Sequence, residues 1–230
     1  MKIGLISDIH SNVYGLRSVL KKLKNTDIIL CAGDLTGYYT FANEVFDEIE
    51  KNKIQWIKGN FDDFLFKSTN NQIIQDSVDY TKKVIKPENL KKLKNAPTDM
   101  TLVLDGIRFK VYHGSPWGEE SVYPDYKNFA KFNKVNADVI ILGHTHYPME
   151  KRIGDKIIIN PGSCGQPRDY ESKASCAIFD TKTRKTKFYR LSYNRRKIIS
   201  AIKLYGFDQK LIDILKRKKP FDFTHGKEKK

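Results

Sequence analysis

An α/β fold is predicted by three features of the sequence. Short apolar runs bounded by polar, turn-prone residues, Lys2-Ile3-Gly4-Leu5-Ile6, Ile28-Ile29-Leu30-Cys31-Ala32 and Val139-Ile140-Ile141-Leu142, have the form of buried strands. Between the first two, Leu16, Val19, Leu20 and Leu23 recur at helical intervals on one face of Val13–Leu23, giving the order strand, helix, strand. Each strand-like run then ends in a polar cluster, and α/β sheets bind ligands beyond the carboxyl ends of their strands.

The remaining elements follow in order. Residues 41–53 read as a second helix through Phe41, Val45, Phe46 and Ile49, and Ile54-Gln55-Trp56-Ile57 as a further strand, so parallel pairing is expected here. Residues 70–94 read as helical and polar, covering the first half. The texture then changes, because residues 101–104 and 108–112 flank Asp105-Gly106, a two-residue hairpin signal. Further strands are expected at 156–159, Ala174–Asp180 and 186–191. Beyond Arg195, two groups of apolar residues, Ile198, Ile199, Ile202 and Leu211, Ile212, Ile214, Leu215, lie either side of Gly206 and predict two short amphipathic helices. The chain thus divides into a body, residues 1–194, and a basic helical appendage with a tail, residues 195–230.

Composition bounds the function. With 230 residues and 40% hydrophobic content the chain can bury a sizeable core, which excludes a disordered class. No apolar run reaches the roughly 18 residues needed to cross a bilayer, and polar Asp8 arrives too early for a secretory leader, so no membrane partner and a cytoplasmic location are expected. Cys31, Cys164 and Cys176 are odd in number and lack CxxC spacing, as reduced thiols would be. The net charge of +15 is concentrated at the end, where residues 195–230 hold twelve Lys/Arg against four Asp/Glu. That segment could contact nucleic acid or another polyanion, a protein partner or a second copy in a homo-oligomer; the alternative is a solvated, lysine-rich surface.

The strand-end clusters are Ser7-Asp8-Ile9-His10, Gly33-Asp34, Lys58-Gly59-Asn60, His113-Gly114 and Gly143-His144-Thr145-His146. They hold four of the five histidines, His225 being the exception. Carboxylate, imidazole and amide oxygen suit zinc, manganese, iron, cobalt or nickel, and the lack of cysteine argues against a structural zinc site. The adjacent glycines, Gly33, Gly59, Gly114 and Gly143, suit a crowded site that needs unusual backbone and close approach.

In this order, the five clusters resemble the blocks of the calcineurin-like metallophosphoesterases. Asn160-Pro161-Gly162-Ser163 is similar to the strand-end turn of the compact branch of predicted bacterial and archaeal phosphodiesterases, so the resemblance runs to about residue 191. It implies a four-layer αββα sandwich of two mixed β-sheets flanked by helices. It also implies two divalent transition-metal ions, manganese foremost, with nickel, cobalt, zinc or iron as alternatives. By position, Asp8, His10 and His146 would hold one metal, Asn60, His113 and His144 the other, and Asp34 would bridge them. Two metals about 3.5–4 Å apart can share a hydroxide that attacks phosphorus in line, which makes Asp34, Asn60 and His144 catalytic candidates.

The sequence departs from the family at Gly59-Asn60-Phe61-Asp62, because many members carry a histidine, proposed as general acid, where Phe61 stands. General acid catalysis is worth about 10²- to 10⁴-fold. Asp62 and Asp63 are nearby substitutes, unless Asp62 only caps or orients the following helix. Arg168, in Gln166-Pro167-Arg168-Asp169, is a candidate for binding a substrate phosphate. Asn12 could sit at the rim of the site or cap the helix that begins near Val13. Trp117, Tyr123 and Tyr126 could line a pocket or simply pack. The leading expectation is hydrolysis of a phosphodiester, with nucleotide-type esters in view. The alternatives are a phosphomonoesterase, acting on small molecules or proteins, and a non-catalytic interaction scaffold, since scaffolds of this fold also carry phenylalanine at the acid position.

Overall fold

The structure, a computed structural model, describes residues 1–169, 172–217 and 219, with the backbone alone at 221–222 and 227–228. His225 and most of the expected tail lie outside these residues. The first half of the chain forms β1 (Lys2–Ile6), α1 (Val13–Leu23), β2 (Ile28–Cys31), α2 (Ala42–Lys51), β3 (Gln55–Trp56), the single-turn α3 (Asn60–Asp63), α4 (Gln72–Val84) and α5 (Pro87–Asn95). The second half supplies β4 (Asp99–Leu104), β5 (Ile107–Tyr112), a 3₁₀ segment (Phe129–Lys134), β6 (Val139–Ile141), β7 (Met149–Ile153), β8 (Lys156–Asn160), β9 (Ala174–Asp180) and β10 (Lys185–Leu191). Helices α6 (Arg196–Leu204) and α7 (Lys210–Lys216) follow, then a short antiparallel ribbon of Phe221–Asp222 with Lys227–Glu228.

Two mixed five-stranded sheets result, ordered β10-β9-β1-β2-β3 and β4-β5-β6-β8-β7. Each contains three parallel strands, β1-β2-β3 along one side of the first sheet and β5-β6-β8 in the middle of the second; antiparallel strands are added beyond β1 in the first and on both sides in the second. The central strands read as continuous apolar runs because both of their faces are covered. Ile3, Leu5 and Leu30 of the first sheet meet Phe109, Val139, Ile141, Ile157 and Ile159 of the second in one core between the sheets. The alternate residues Ile6, Ile29 and Cys31 turn outward onto α1 and α2 and, beyond them, Val78, Ile85 and Leu93 from the α4–α5 region. On the far side Ile140 and Ile158 pack on Phe129 and Phe132, so the fourth layer is a 3₁₀ segment and its loops. Trp117 and Tyr126 belong to that layer through ring contacts with Phe132, and Tyr123 stacks edge-on to Tyr147.

Several local expectations are refined. The helix read over 70–94 is two helices, because Pro87 starts α5 at its first turn and Lys86 is extended. The Asp105-Gly106 hairpin forms with both residues at positive φ, 53° and 76°, as a type I′ turn requires. β3 is regular only at Gln55–Trp56, at the sheet edge. β7, Met-Glu-Lys-Arg-Ile, escapes a reading based on apolar runs because it is an edge strand with solvated side chains. The two expected C-terminal helices are docked on the body: Ile198, Ile202, Leu211, Ile212 and Leu215 form a buried cluster with Tyr39, against which Tyr38 and Tyr193 pack. Among the described residues no helix is long and apolar enough to cross a membrane.

Truncating Leu5, fully buried between the sheets, to alanine should cost about 2–5 kcal/mol in urea unfolding. Val103→Ala, at a position 60% exposed on an edge strand, should stay within about 0.5 kcal/mol.

Candidate metal centre

Five strands deliver the clusters. Asp8 and His10 follow β1, Asp34 follows β2, Asn60 follows β3, His113 follows β5, and His144 and His146 follow β6. Backbone hydrogen bonds continue past the strand ends and tie these loops together: Asp8 N donates to the Gly33 carbonyl (3.0 Å), Ile9 N to the Asp34 carbonyl (2.8 Å) and Gly143 N to the His113 carbonyl (2.8 Å). The His144 N–H donates across the seam between the sheets to Asp8 Oδ1 at 3.1 Å. The Asn160-Pro161-Gly162-Ser163 turn clamps the same loops, with Asn160 Nδ2 donating to the Gly143 carbonyl (2.7 Å) and Ser163 Oγ to the Asp8 carbonyl (2.7 Å).

The backbone at the site is strained. Asp8, His10, Asp34, His144 and His146 all have φ between 50° and 68°, a region that non-glycine residues seldom occupy and that surrounding structure must impose. Space is equally tight. A Cβ on Gly59 would stand 2.1 Å from Asp34 Oδ1 and 2.7 Å from the Asp34 nitrogen.

The polar atoms converge in the pattern that metal ions require. Nδ1 of His10, His113 and His146 faces the carbonyls of Thr36 (3.3 Å), Ala32 (2.7 Å) and Gln166 (2.6 Å). Donation to these carbonyls places the ring proton on Nδ1 and turns each Nε2 lone pair into the site. Nε2 of His10 and of His146 then lie only 3.0 Å apart, and Asp8 Oδ1 is 3.4 Å from the latter. Asp34 Oδ2 stands 3.6 Å from His10 Nε2 and 3.3 Å from His113 Nε2, while Asn60 Oδ1 lies 2.9 Å from His113 Nε2 and 3.1 Å from His144 Nδ1. Asp8, His10 and His146 form one donor group, and Asp8, Asp34 and His113 an adjoining one, all buried.

Electrostatics agrees with this placement. Burial holds the imidazoles of His10, His144 and His146 below the ordinary histidine range, so they are neutral. His113 moves the other way: burial opposes its charge, but the Asp34 carboxylate raises it to about 10, so this position calls for a cation. Burial pushes the Asp8 carboxyl up, and its Oδ2 is buried without a hydrogen-bond partner. A metal pair satisfies all three conditions: lone pairs in contact, a demand for positive charge and an orphaned carboxylate oxygen. The residues present therefore fit the metal ions that the sequence implied.

Other candidates fall into place around this centre. Asp62 is buried and accepts from the N–H groups of Leu35 (3.1 Å), Thr36 (2.9 Å) and Gly59 (3.0 Å) and from the Thr36 hydroxyl (2.8 Å), stapling two ligand loops together. Asp63 is paired with Lys58 (2.8 Å) and Lys67 (3.1 Å). Phe61 stacks edge-on against His10 at 4.8 Å, and its N–H donates to Asp34 Oδ1 at 2.8 Å. Asn12 is fully buried as the cap of α1, accepting from Gly15 N (2.9 Å) and donating to the Gly165 carbonyl (2.7 Å). Arg168 returns to the site: its Nη2 is 3.5 Å from the Tyr38 hydroxyl, and its charge acts on Asp8, His10, His144 and His146. Tyr38, whose ring packs on His10 and Phe61, was missed in the sequence. The available signal was Gly37-Tyr38-Tyr39 following so soon after Asp34. A cavity of about 290 Å³ opens beside Asn60 and His113.

Two mixed sheets with a buried histidine–carboxylate cluster along their seam define a metallophosphoesterase-type architecture. The profile of the calcineurin-like phosphoesterase superfamily domain matches residues 1–184, and the chain belongs to that superfamily. It is 35% identical to an uncharacterized protein of Methanocaldococcus jannaschii, covering 87% of this chain and 91% of that one. It is 25% identical to a phosphodiesterase of the same organism, covering 71% and 84%. The crystal structure of a metallophosphoesterase from Sphaerobacter thermophilus superposes with a TM-score of 0.82 at 27% identity, over 94% of this chain and 99% of that one.

Gly59→Ala should displace Asp34, lowering metal content measured by elemental mass spectrometry from about two ions per chain to one or fewer. Circular dichroism should remain that of a folded protein.

Proposed function

We propose that the protein hydrolyses phosphodiesters at a two-metal centre, with nucleotide-type esters as the favoured substrates and manganese as the favoured ion. The observation that carries this reading is the pair of buried donor groups sharing Asp8, with Asp34 between His10 and His113. When bound, such a metal pair lowers the pKa of water and stabilises charge on the phosphoryl oxygens.

The chain's own residues do the rest. Asp34, between His10 and His113, would serve both ions, and Asn60 and His144 would complete the second half of the centre. The Arg168 guanidinium and the Tyr38 hydroxyl face the His10–His146 side, where they can hold a phosphoryl oxygen by charge-assisted hydrogen bonds. Asn12 contributes from below: it anchors Gly165, whose neighbour Gln166 orients His146.

Protonation of the leaving oxygen falls to none of Phe61, Asp62 and Asp63. Phe61 has no proton to give, all four contacts of Asp62 are accepted bonds, and Asp63 is paired with two lysines. Esters whose alcohol leaves without much help are therefore favoured. The cavity beside His113 gives room for the second substituent of a diester, and the relative named as a phosphodiesterase supports the same choice.

Manganese-loaded protein should turn over bis(p-nitrophenyl) phosphate faster than p-nitrophenyl phosphate, and chelation or Asp34→Asn should lower the diester rate by about 100-fold or more. A larger rate on the monoester would make it a phosphomonoesterase. Silence with manganese, nickel, cobalt and zinc, in folded and metal-loaded protein, would assign it to the binding scaffolds. Arg168→Ala should raise KM for the diester by about tenfold or more while two metals per chain remain.

A further inference from the structure

The cavity beside the second half of the metal centre has a composition that restricts what can enter it. Asn60 and His113 form part of its lining, so whatever occupies it is attached to, or lies against, the reacting phosphate. Its remaining wall includes Lys58, Asp63, Asp99, Tyr112, Pro116 and Glu119. The one lysine in this lining is spent, because its ammonium lies 2.8 Å from Asp63. Asp99 and Glu119 are exposed at the cavity and form no ion pair with a described cation. The Glu119 backbone is held close to the chain leaving His113: a Cβ on Gly114 would stand 2.8 Å from Glu119 Cα.

Positive charge in this cavity therefore belongs to the metal-centre side, where the reacting phosphate would sit, while Asp99 and Glu119 leave the wall away from His113 acidic on a chain whose net charge is +15. Two unpaired carboxylates repel a further phosphate, yet they accept hydrogen bonds from hydroxyl groups, as acidic residues do from ribose hydroxyls in dinucleotide sites. The half-buried Tyr112 ring and Pro116 supply flat apolar surface. A volume of about 290 Å³ admits a ring-sized substituent.

Building on the phosphodiesterase reading above, we propose that this cavity receives the ester substituent of the substrate and selects an uncharged, hydroxyl-bearing ring of the nucleoside type, rejecting substituents that carry a further phosphate.

The test uses two substrates with the same leaving group, thymidine 5′-(p-nitrophenyl phosphate) and its 3′-phosphorylated counterpart, on the full-length metal-loaded protein, with bis(p-nitrophenyl) phosphate as a third. At low ionic strength, kcat/KM for the uncharged nucleoside ester should exceed that for the phosphorylated one by about tenfold or more, and added salt should narrow the ratio. In the Asp99→Asn/Glu119→Gln double variant the ratio should fall below about threefold. Cleavage of bis(p-nitrophenyl) phosphate with equal rates on the two nucleotides, a preference for the phosphorylated one, or an unchanged ratio in the double variant would overturn the inference and leave the hydrolase standing. No cleavage of any of the three would overturn both.

Discussion

The structure turns on a concentration of lone pairs. Three imidazoles donate hydrogen bonds from Nδ1 to backbone carbonyls and turn their Nε2 atoms inward, beside two buried carboxylates and an amide oxygen. In a low-dielectric interior such an assembly repels itself unless positive charge lies within it. His10 and His146 touching through their Nε2 atoms, and His113 drawn towards protonation by Asp34, express the same demand at either end of the site. Ions bound there would answer it and, in the proposed reaction, would bring the chemistry too, so that binding and catalysis would have one physical origin.

Holding those groups together requires a frame that does not yield, and the seam between the sheets provides it. The candidate ligands come from parallel strands of both sheets, and their loops are cross-tied by the His144 N–H on Asp8, the Cys164 N–H on the Ser7 carbonyl and the Gly165 N–H on the Asp8 carbonyl. Beneath them the inter-sheet core of β-branched and aromatic residues fixes the distance between the two halves. The C-terminal helices close the periphery by packing on Tyr39, next to Tyr38.

Much of this was legible in the residues. β1, β2 and β6 announce themselves because strands covered on both faces must be apolar throughout, and the seven ligand candidates stand out because polar clusters follow such runs. Edge strand β7 was not legible, since its solvated side chains carry no apolar pattern. The carbonyls of Ala32, Thr36 and Gln166 that set the histidine tautomers belong to the backbone, so no residue type betrays them. Asp62 was readable as a carboxylate but not as a staple, because its four donors lie on two separate loops. Tyr38 needed the fold to bring residue 168 back to residue 38.

The left-handed backbone at five of the seven candidate ligand positions has an evolutionary consequence. Replacing one of those residues by glycine, or by an asparagine that tolerates the conformation, relieves torsional strain and removes a self-repelling group in one step. Once selection for metal binding lapses, strain and self-repulsion both favour decay of the centre, opposed by the space and the unsatisfied carbonyls that a lost imidazole leaves behind. The two directions are unequal: loss can proceed one residue at a time, whereas the return journey must rebuild strain and charge together.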